Sequence, residues 1–323
     1  MKRRRFLVSS LALACCARGS RTRGEVKVYS IGWLTAQRAA SLAPYLDAFR
    51  SGLADLGYIE GYNLVIAYRY ADGAIERVPG LSAELVRIPV DLIVAQGAAA
   101  FEIRGLTVPV VYAISADPVL SGFAESLARP RGNMTGLTFM AVELVGKRLE
   151  VLREIIPQLR RVAVLGNPEH PGAQLERGFS EATARRLGVE IAYFPTRSPD
   201  ELSAALAMMA ENPQQAISLL ADGFAVENRQ VIIDFATSHH VPVISGWPVF
   251  AQSGAICTYG PRLTASYRRL AYYIDRILKG AKLADLPIEQ PTEFDLVVNL
   301  KSAKTLGITI PQALEARADS VIE

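Results

Sequence analysis

Asp117 and Asp222 each follow a run of apolar residues, in Ser115-Ala116-Asp117 and Ala221-Asp222-Gly223. Paired carboxylates could exchange a proton as acid and base, or accept hydrogen bonds from a bound amine. Neither has a nucleophile or base beside it in the sequence, so a ligand-amine acceptor or a loop cap is the reading they support. The three histidines add little catalytic chemistry. His239 and His240 are adjacent, which sends them to opposite faces of a strand or about 100° apart on a helix. They read as a helix-end or loop pair, not as metal ligands. His170 lies in a loop and could line a cleft; an exposed loop histidine is the simpler reading. Gly146-Lys147 lacks the preceding glycine of a phosphate-binding loop, and no GxSxG, GxGxxG or HExxH occurs. Three cysteines lack metal-ligand spacing. The expectation is a binding protein and not an enzyme, with no cofactor and no metal site.

The elements that must position these residues alternate between strand and helix. Residues 26–34 form an apolar, β-branched run ending in a glycine-containing loop, the pattern of a buried parallel strand. Leu46, Phe49, Leu53 and Leu56 then recur at helical spacing, and Gly57 supplies a stop. Strands are expected at 63–68, 91–96 and 108–114, with a helix over 82–87. The order recurs from Arg161: a strand at 162–165, a helix carrying Leu175, Phe179 and Ala182, and a stop at Leu187-Gly188. A strand at 189–194, a helix at 201–210 and a strand at 216–220 follow. Repetition at about 130 residues is too long for a solenoid unit and fits two similar domains. Right-handed crossovers make each a parallel sheet covered by helices on both faces, so the fold class is α/β with two Rossmann-like lobes.

Length and charge agree. At roughly 100–200 residues per domain, 323 residues suggest two domains. The net charge of +3 resides at the start: residues 1–23 carry seven Lys and Arg and no acid, which leaves −4 for the remainder. Basic residues are otherwise dispersed, so the electrostatic footprint of nucleic-acid binding is missing. Residues 1–23 read as an export leader: a basic start, a mainly apolar run of nine residues from Phe6 to Ala14, then small residues. Arg3-Arg4-Arg5-Phe6-Leu7 resembles a twin-arginine signal, and an ordinary secretion leader with extra arginines is the alternative. Leu13-Ala14-Cys15-Cys16 loosely resembles a lipoprotein cleavage site with Cys16 as the lipidated residue, although Cys15 stands where Gly, Ala or Ser is usual. The protein is therefore expected to be periplasmic or otherwise exported.

In open parallel sheets, ligands bind beyond the carboxyl ends of the strands. Those ends are residues 33–35, 96–99, 115–117, 167–170, 222–224 and 246–247, so Trp33, Thr35, Gly97, Ala98, Ser115, Asp117, Asn167, Asp222, Phe224 and Trp247 stand on candidate rims. Trp33 and Trp247, the two tryptophans, are either stacking walls for a planar ligand or partly buried lobe surface.

Several runs resemble the exported solute-binding subunits of ABC transporters, of the type I periplasmic binding protein fold. They include Leu56-Gly57-Tyr58-Ile59-Glu60-Gly61-Tyr62-Asn63, Ser115-Ala116-Asp117-Pro118-Val119 and Asn133-Met134-Thr135-Gly136. Lys147-Arg148-Leu149-Glu150 and Asn299-Leu300-Lys301-Ser302 extend the likeness over essentially the whole chain. The resemblance implies two lobes joined by three crossing strands, closing on a small solute that is delivered to an ABC permease and its ATPase. It places Asp117, Thr135, Asn167, Asp222 and Tyr259 at positions matching the family's pattern. Ala98-Ala99-Ala100 departs from it, because a Ser or Thr often follows the third-strand glycine, and Arg131 replaces a usual Gly. The expected roles are anion capture by Ser115, Thr135 and helix N-termini, amine capture by Asp117 or Asp222, and walls from Trp33, Phe224, Trp247 and Tyr259. The first lobe is expected over 26–136 plus about 256–285, and the second over 137–250 plus about 290–323, in a monomer. A ligand-sensing receptor domain of the same fold is the alternative, and a two-domain enzyme a more distant one.

Overall fold

The computed structural model describes residues 27–323. The leader and Cys16 lie outside the described residues. The first part runs β1 (Tyr29–Thr35), α1 (Ala39–Asp55), β2 (Leu64–Tyr70), α2 (Val78–Arg87), β3 (Leu92–Gln96), α3 (Ala99–Glu102) and β4 (Val110–Ile114). A small ribbon, β5 (Ala124–Ser126) with β6 (Arg129–Pro130), precedes β7 (Met134–Thr138). Next come α4 (Ala141–Ile155), β8 (Arg161–Gly166), α5 (Ala173–Leu187), β9 (Glu190–Pro195), α6 (Pro199–Glu211) and β10 (Ala216–Leu219). Helices α7 (Gly223–Glu227) and α8 (Arg229–Ser238) lead to β11 (Val243–Ser245), α9 (Pro248–Ser253), β12 (Cys257–Pro261) and α10 (Leu263–Leu278). The chain ends with β13 (Phe294–Asn299), α11 (Leu300–Thr305), α12 (Gln312–Glu315) and β14 (Ser320–Ile322).

Two sheets result. The first has the order β2-β1-β3-β4-β7, and its strands run parallel throughout. The second has the order β14-β13-β12-β11-β10-β8-β9. Strands β3, β4 and β10 are buried at every position, because helices cover both faces of a parallel sheet and leave no polar side. One pair departs from the parallel expectation: β12 and β13 are antiparallel. Strand β12 runs out toward α10 and β13 returns from beyond it, so the two meet in opposite directions.

The sheets are joined by three connections: Phe139-Met140 between β7 and α4, Arg262 between β12 and α10, and the stretch from 279 to 293 leading into β13. The first and third lie side by side, since Leu137 bridges Glu289. Met140 adopts a left-handed conformation at its turn. Helix α10, although far along the chain, belongs to the first lobe, where Tyr267, Leu270 and Ile274 join the core of Trp33, Leu42, Leu46 and Phe49. The lobe expectation needs one correction here. The early part of 256–285, strand β12, pairs with β11 and β13 in the second sheet, so the return to the first lobe begins only at α10.

Two helix faces also differ from the spacing argument. Helix α1 buries Leu42, Leu46, Phe49 and Leu53, whereas Leu56 at its end is 42% exposed. Helix α5 leaves Phe179 half exposed and turns Ala173, Glu176, Ser180 and Ala184 inward. Its buried face is selected by a charged partner on α4, which apolar periodicity does not register.

Helices α1 and α10 pack at a glycine. A Cβ on Gly52 would lie 2.7 Å from the Arg268 carbonyl oxygen and 3.1 Å from the Ala271 Cβ. Alanine is the better helix former by about 1 kcal/mol, but the obstacle is backbone and cannot rotate away. Gly52→Ala is expected to destabilise the protein by about 1–3 kcal/mol, the usual cost of overpacking, as measured by urea unfolding.

Candidate functional site

The loops at the carboxyl ends of both sheets enclose a cavity of about 450 Å³. Gly97 and Ala98 follow β3, Ser115 follows β4, and Asn167 and His170 follow β8. Asp222 and Phe224 follow β10, and Trp247 follows β11. These are the rims expected of an open parallel sheet, and seven of the residues named from the sequence line the cavity: Gly97, Ala98, Ser115, Asn167, Asp222, Phe224 and Trp247.

Five others do not line it. Trp33 is fully buried and packs on Phe49 and Tyr267, at ring separations of 5.1 and 6.2 Å. It is core, because its position on β1 faces α1 and α10. Thr35 is also buried, donating to Gln96 Oε1 at 2.6 Å and accepting from the Gln37 amide, so it supports two cavity residues from behind. Asp117 Oδ1 accepts from the amides of Val119 and Leu120, both at 2.8 Å, a turn cap that stands outside the cavity lining. Thr135 donates to the Leu286 carbonyl at 2.6 Å and ties β7 to the third connection, outside the cavity lining. Tyr259 stacks on Phe294 across the β12–β13 pair and forms no cavity wall.

Of the aromatic wall, sequence reasoning named Trp247 and missed Tyr45, Phe139 and Tyr267. Tyr45 stacks on Tyr267 at 5.2 Å, Tyr267 on Phe139 at 6.1 Å, and Phe139 meets Trp247 edge-on at 5.8 Å. All four line the cavity, together with Leu42 and Leu263. They come from α1, the first connection, α10 and the loop after β11. No window of sequence could bring them together, although their aromatic type was visible. Burial raises the Tyr45 hydroxyl to about 12 against a lowering influence from Arg229, so it stays protonated.

His170, too, is in the cleft and not exposed on a loop. Its Nε2 lies 3.0 Å from Ser115 Oγ, which belongs to the other lobe. Burial lowers its pKa to about 4, leaving a neutral imidazole at pH 7. A second contact spans the lobes at the surface, where Glu227 accepts from the Arg38 backbone N–H at 3.1 Å and its guanidinium at 2.9 Å. The lobes therefore touch at two places. His239 and His240 stand exposed at the end of α8.

Beneath the second lobe's rim lies a buried charge cluster. Arg148 on α4 and Glu176 on α5 are 1% and 0% exposed, with Nη2 and Oε2 3.6 Å apart. Glu176 Oε2 also accepts from the Ala221 amide at 2.9 Å, one residue before Asp222. Desolvation raises the Glu176 carboxyl to about 7 despite the Arg148 charge and lowers Arg148. Asp222 Oδ1 accepts from the Phe224 amide at 3.0 Å, whereas Oδ2 is buried without a hydrogen-bond partner among the described residues. Desolvation raises this carboxyl to about 6, against the lowering effect of the Phe224 and Ala225 amides. A buried carboxylate with one unpaired oxygen calls for a donor. Among the described residues no group of three or more His, Cys, Asp or Glu is placed to hold a metal ion.

The model of the family described as "ABC transporter substrate binding protein" matches residues 38–322. A tyrosine-binding protein of Clostridioides difficile (strain R20291) is 22% identical over 277 residues, which cover 82% of this chain and 78% of that protein. Among solved structures, a conserved domain protein from Vibrio cholerae is 26% identical with a TM-score of 0.85, covering 91% of this chain and all of that one. A Streptococcus pneumoniae ABC domain in complex with L-Trp is 23% identical with a TM-score of 0.85, covering 92% of this chain and 100% of that one.

The raised Asp222 carboxyl has a pH signature. Its pKa exceeds the unfolded value of about 3.9, so the folded state binds the extra proton and stability falls as pH rises from about 4 through 6. Asp222→Asn keeps the Phe224 acceptor and removes the charge. Without solute, the variant is expected to be more stable than the parent by about 1–3 kcal/mol at pH 8, the gain vanishing near pH 4, as read by denaturant melts across pH.

Proposed function

Because the chain belongs to the ABC transporter substrate-binding protein family, whose members bind solutes and are not enzymes, we propose that it is the exported, monomeric receptor of an importer. It captures a small amino acid with an aromatic or large apolar side chain between its lobes and presents it to a membrane permease and its ATPase. The observation that carries this reading is the make-up of the cavity between the two rims. A wall of Tyr45, Phe139, Trp247 and Tyr267 adjoins polar rims that include the unpaired Asp222 carboxylate. The names of the tyrosine-binding relative and the L-Trp complex point to the same class.

In this reading the aromatic wall covers the side chain of the solute, worth about 25 cal/mol per Å² removed from water. Asp222 accepts from its ammonium group, and Ser115 with backbone amides of the facing rim receives its carboxylate. The moving bodies are the first sheet with α10 and the second sheet with the remaining helices, and the three connections act as the hinge. The closed form is favoured by contacts that the solute makes to both lobes at once. The leader at 1–23 directs export. Among the described residues no helix is long and apolar enough to cross a membrane.

A thermal-shift screen with L-tyrosine, L-tryptophan, L-phenylalanine, L-leucine and L-glutamate tests the class. The aromatic members are expected to raise the melting point most, since a solute at about 100 times its Kd adds about 2.7 kcal/mol to the folded state. No shift with any aromatic amino acid, against a clear one with glutamate, sinks the reading. By calorimetry, Asp222→Ala is expected to weaken an aromatic amino acid by about 1–3 kcal/mol, the worth of a charged hydrogen bond; an unchanged affinity removes Asp222 from the amine role.

A further inference from the structure

His170 has a fixed orientation of donors and acceptors. Its Nδ1 lies 3.2 Å from the backbone nitrogen of Gly172, two residues along the same loop. A backbone N–H can only donate, so Nδ1 is the accepting, unprotonated nitrogen. The single proton of the neutral ring is then on Nε2, and Nε2–H donates to Ser115 Oγ at 3.0 Å. Ser115 keeps its own O–H, which has no other partner among the described residues, and the residue lines the cavity. A hydroxyl that already accepts from an imidazole is set up to donate.

We propose that His170 is a specificity-determining residue: by donating to Ser115 across the cleft it fixes the Ser115 hydroxyl as a donor, so that the solute must place a hydrogen-bond acceptor, such as a carboxylate oxygen, against it. The inference rests on the cleft being the solute site. Because Ser115 follows β4 of one lobe and His170 follows β8 of the other, the arrangement exists only when the lobes meet. In the open form Ser115 can donate to or accept from water without preference. Acceptor recognition and closure are thus one event. The adjoining rim offers Ala98 where a hydroxyl could stand, which concentrates the task on Ser115.

The same pair makes binding sensitive to acid. Glu169 shares the His170 loop, Arg197 and Asp222 come from other loops of its own lobe, Glu102 comes from α3 of the facing lobe, and Glu176 from α5 approaches Gly172. Against all of these, burial dominates and holds the ring near 4 in the closed cleft, while a solvated imidazole titrates near ~6.5. Closing must therefore expel the proton of any charged ring. Affinity falls as pH drops below about 6.5, by at most about tenfold per pH unit. Asp222 acts in the same direction for an amine-bearing solute, because its carboxyl is raised to about 6 and only the ionised form attracts an ammonium. The two contributions are separated by His170→Gln, whose side-chain amide still donates but does not titrate.

The experiment is calorimetry with L-tyrosine, L-tryptophan and tyramine, the last lacking the carboxylate, on the wild type and the Ser115→Ala, His170→Ala, His170→Gln and Ser115→Ala/His170→Ala variants. Wild type is expected to prefer L-tyrosine over tyramine by tenfold or more. That preference shrinks in either alanine variant, and the double variant is no worse than Ser115→Ala alone. His170→Gln retains most of the affinity, with a shallower decline between pH 7 and 5. Additive losses from the two single variants, or a preference that His170→Ala leaves intact, overturn the proposal. The ¹⁵N shifts of the His170 ring supply a readout independent of solute, since the Gly172 contact lies within one lobe: an Nε2–H tautomer is expected, and an Nδ1–H tautomer overturns it. Should wild type bind none of the three probes, the aromatic amino-acid reading fails and the tautomer alone decides the proposal.

Discussion

A parallel sheet delivers all its strand ends to one edge, and here two such edges are held face to face by three connections. That single constraint orders the rest. It puts unpaired loop groups from both lobes around one cavity, and it requires the connections themselves to be anchored. The Leu137–Glu289 bridge and the Thr135 hydroxyl on Leu286 provide the anchoring. The antiparallel β12–β13 pair has the same origin, because β12 leads out to α10 in the first lobe and β13 leads back from it.

The strand–helix alternation was legible because buried parallel strands are continuous apolar runs and glycines mark where helices stop. Rims were legible for the same reason: once strand ends are located, Gly97, Ser115, Asn167, Asp222 and Trp247 fall on them. Which way each side chain points was not. Trp33 and Trp247 both sit at strand ends, yet one faces two helices and the other the cavity. Asp117 and Asp222 both follow strands and both cap a turn through Oδ1, yet only Asp222 lines the cavity. The aromatic wall gathers residues up to 222 positions apart, from Tyr45 to Tyr267. Such a contact is a property of the assembled lobe, so no local pattern encodes it.

The floor of the second lobe carries a charge arrangement at odds with a purely apolar core. Arg148 and Glu176 are buried at a separation too long for a good hydrogen bond, and Asp222 is nearby through Ala221. Replacing a buried pair by apolar residues often costs nothing, whereas removing one partner strands the other. Such a cluster is therefore costly ballast for stability. Its position under the rim sets titratable groups close to whatever charged group enters the cavity, where the low local dielectric strengthens each interaction.

The docking of α10 against α1 at Gly52 also bears on when this chain can fold. Trp33, Leu42 and Phe49 emerge early in synthesis, but Tyr267, Leu270 and Ile274, which complete their core, come more than two hundred residues later. The first lobe cannot close its core until α10 is available, by which point the second lobe's β8 to β12 have already been made. Until then the apolar surface of the first lobe that α10 covers has no partner. A nascent chain in that condition can still be threaded end-first through a narrow channel, whereas a completed one is a compact body that a narrow channel would have to unravel.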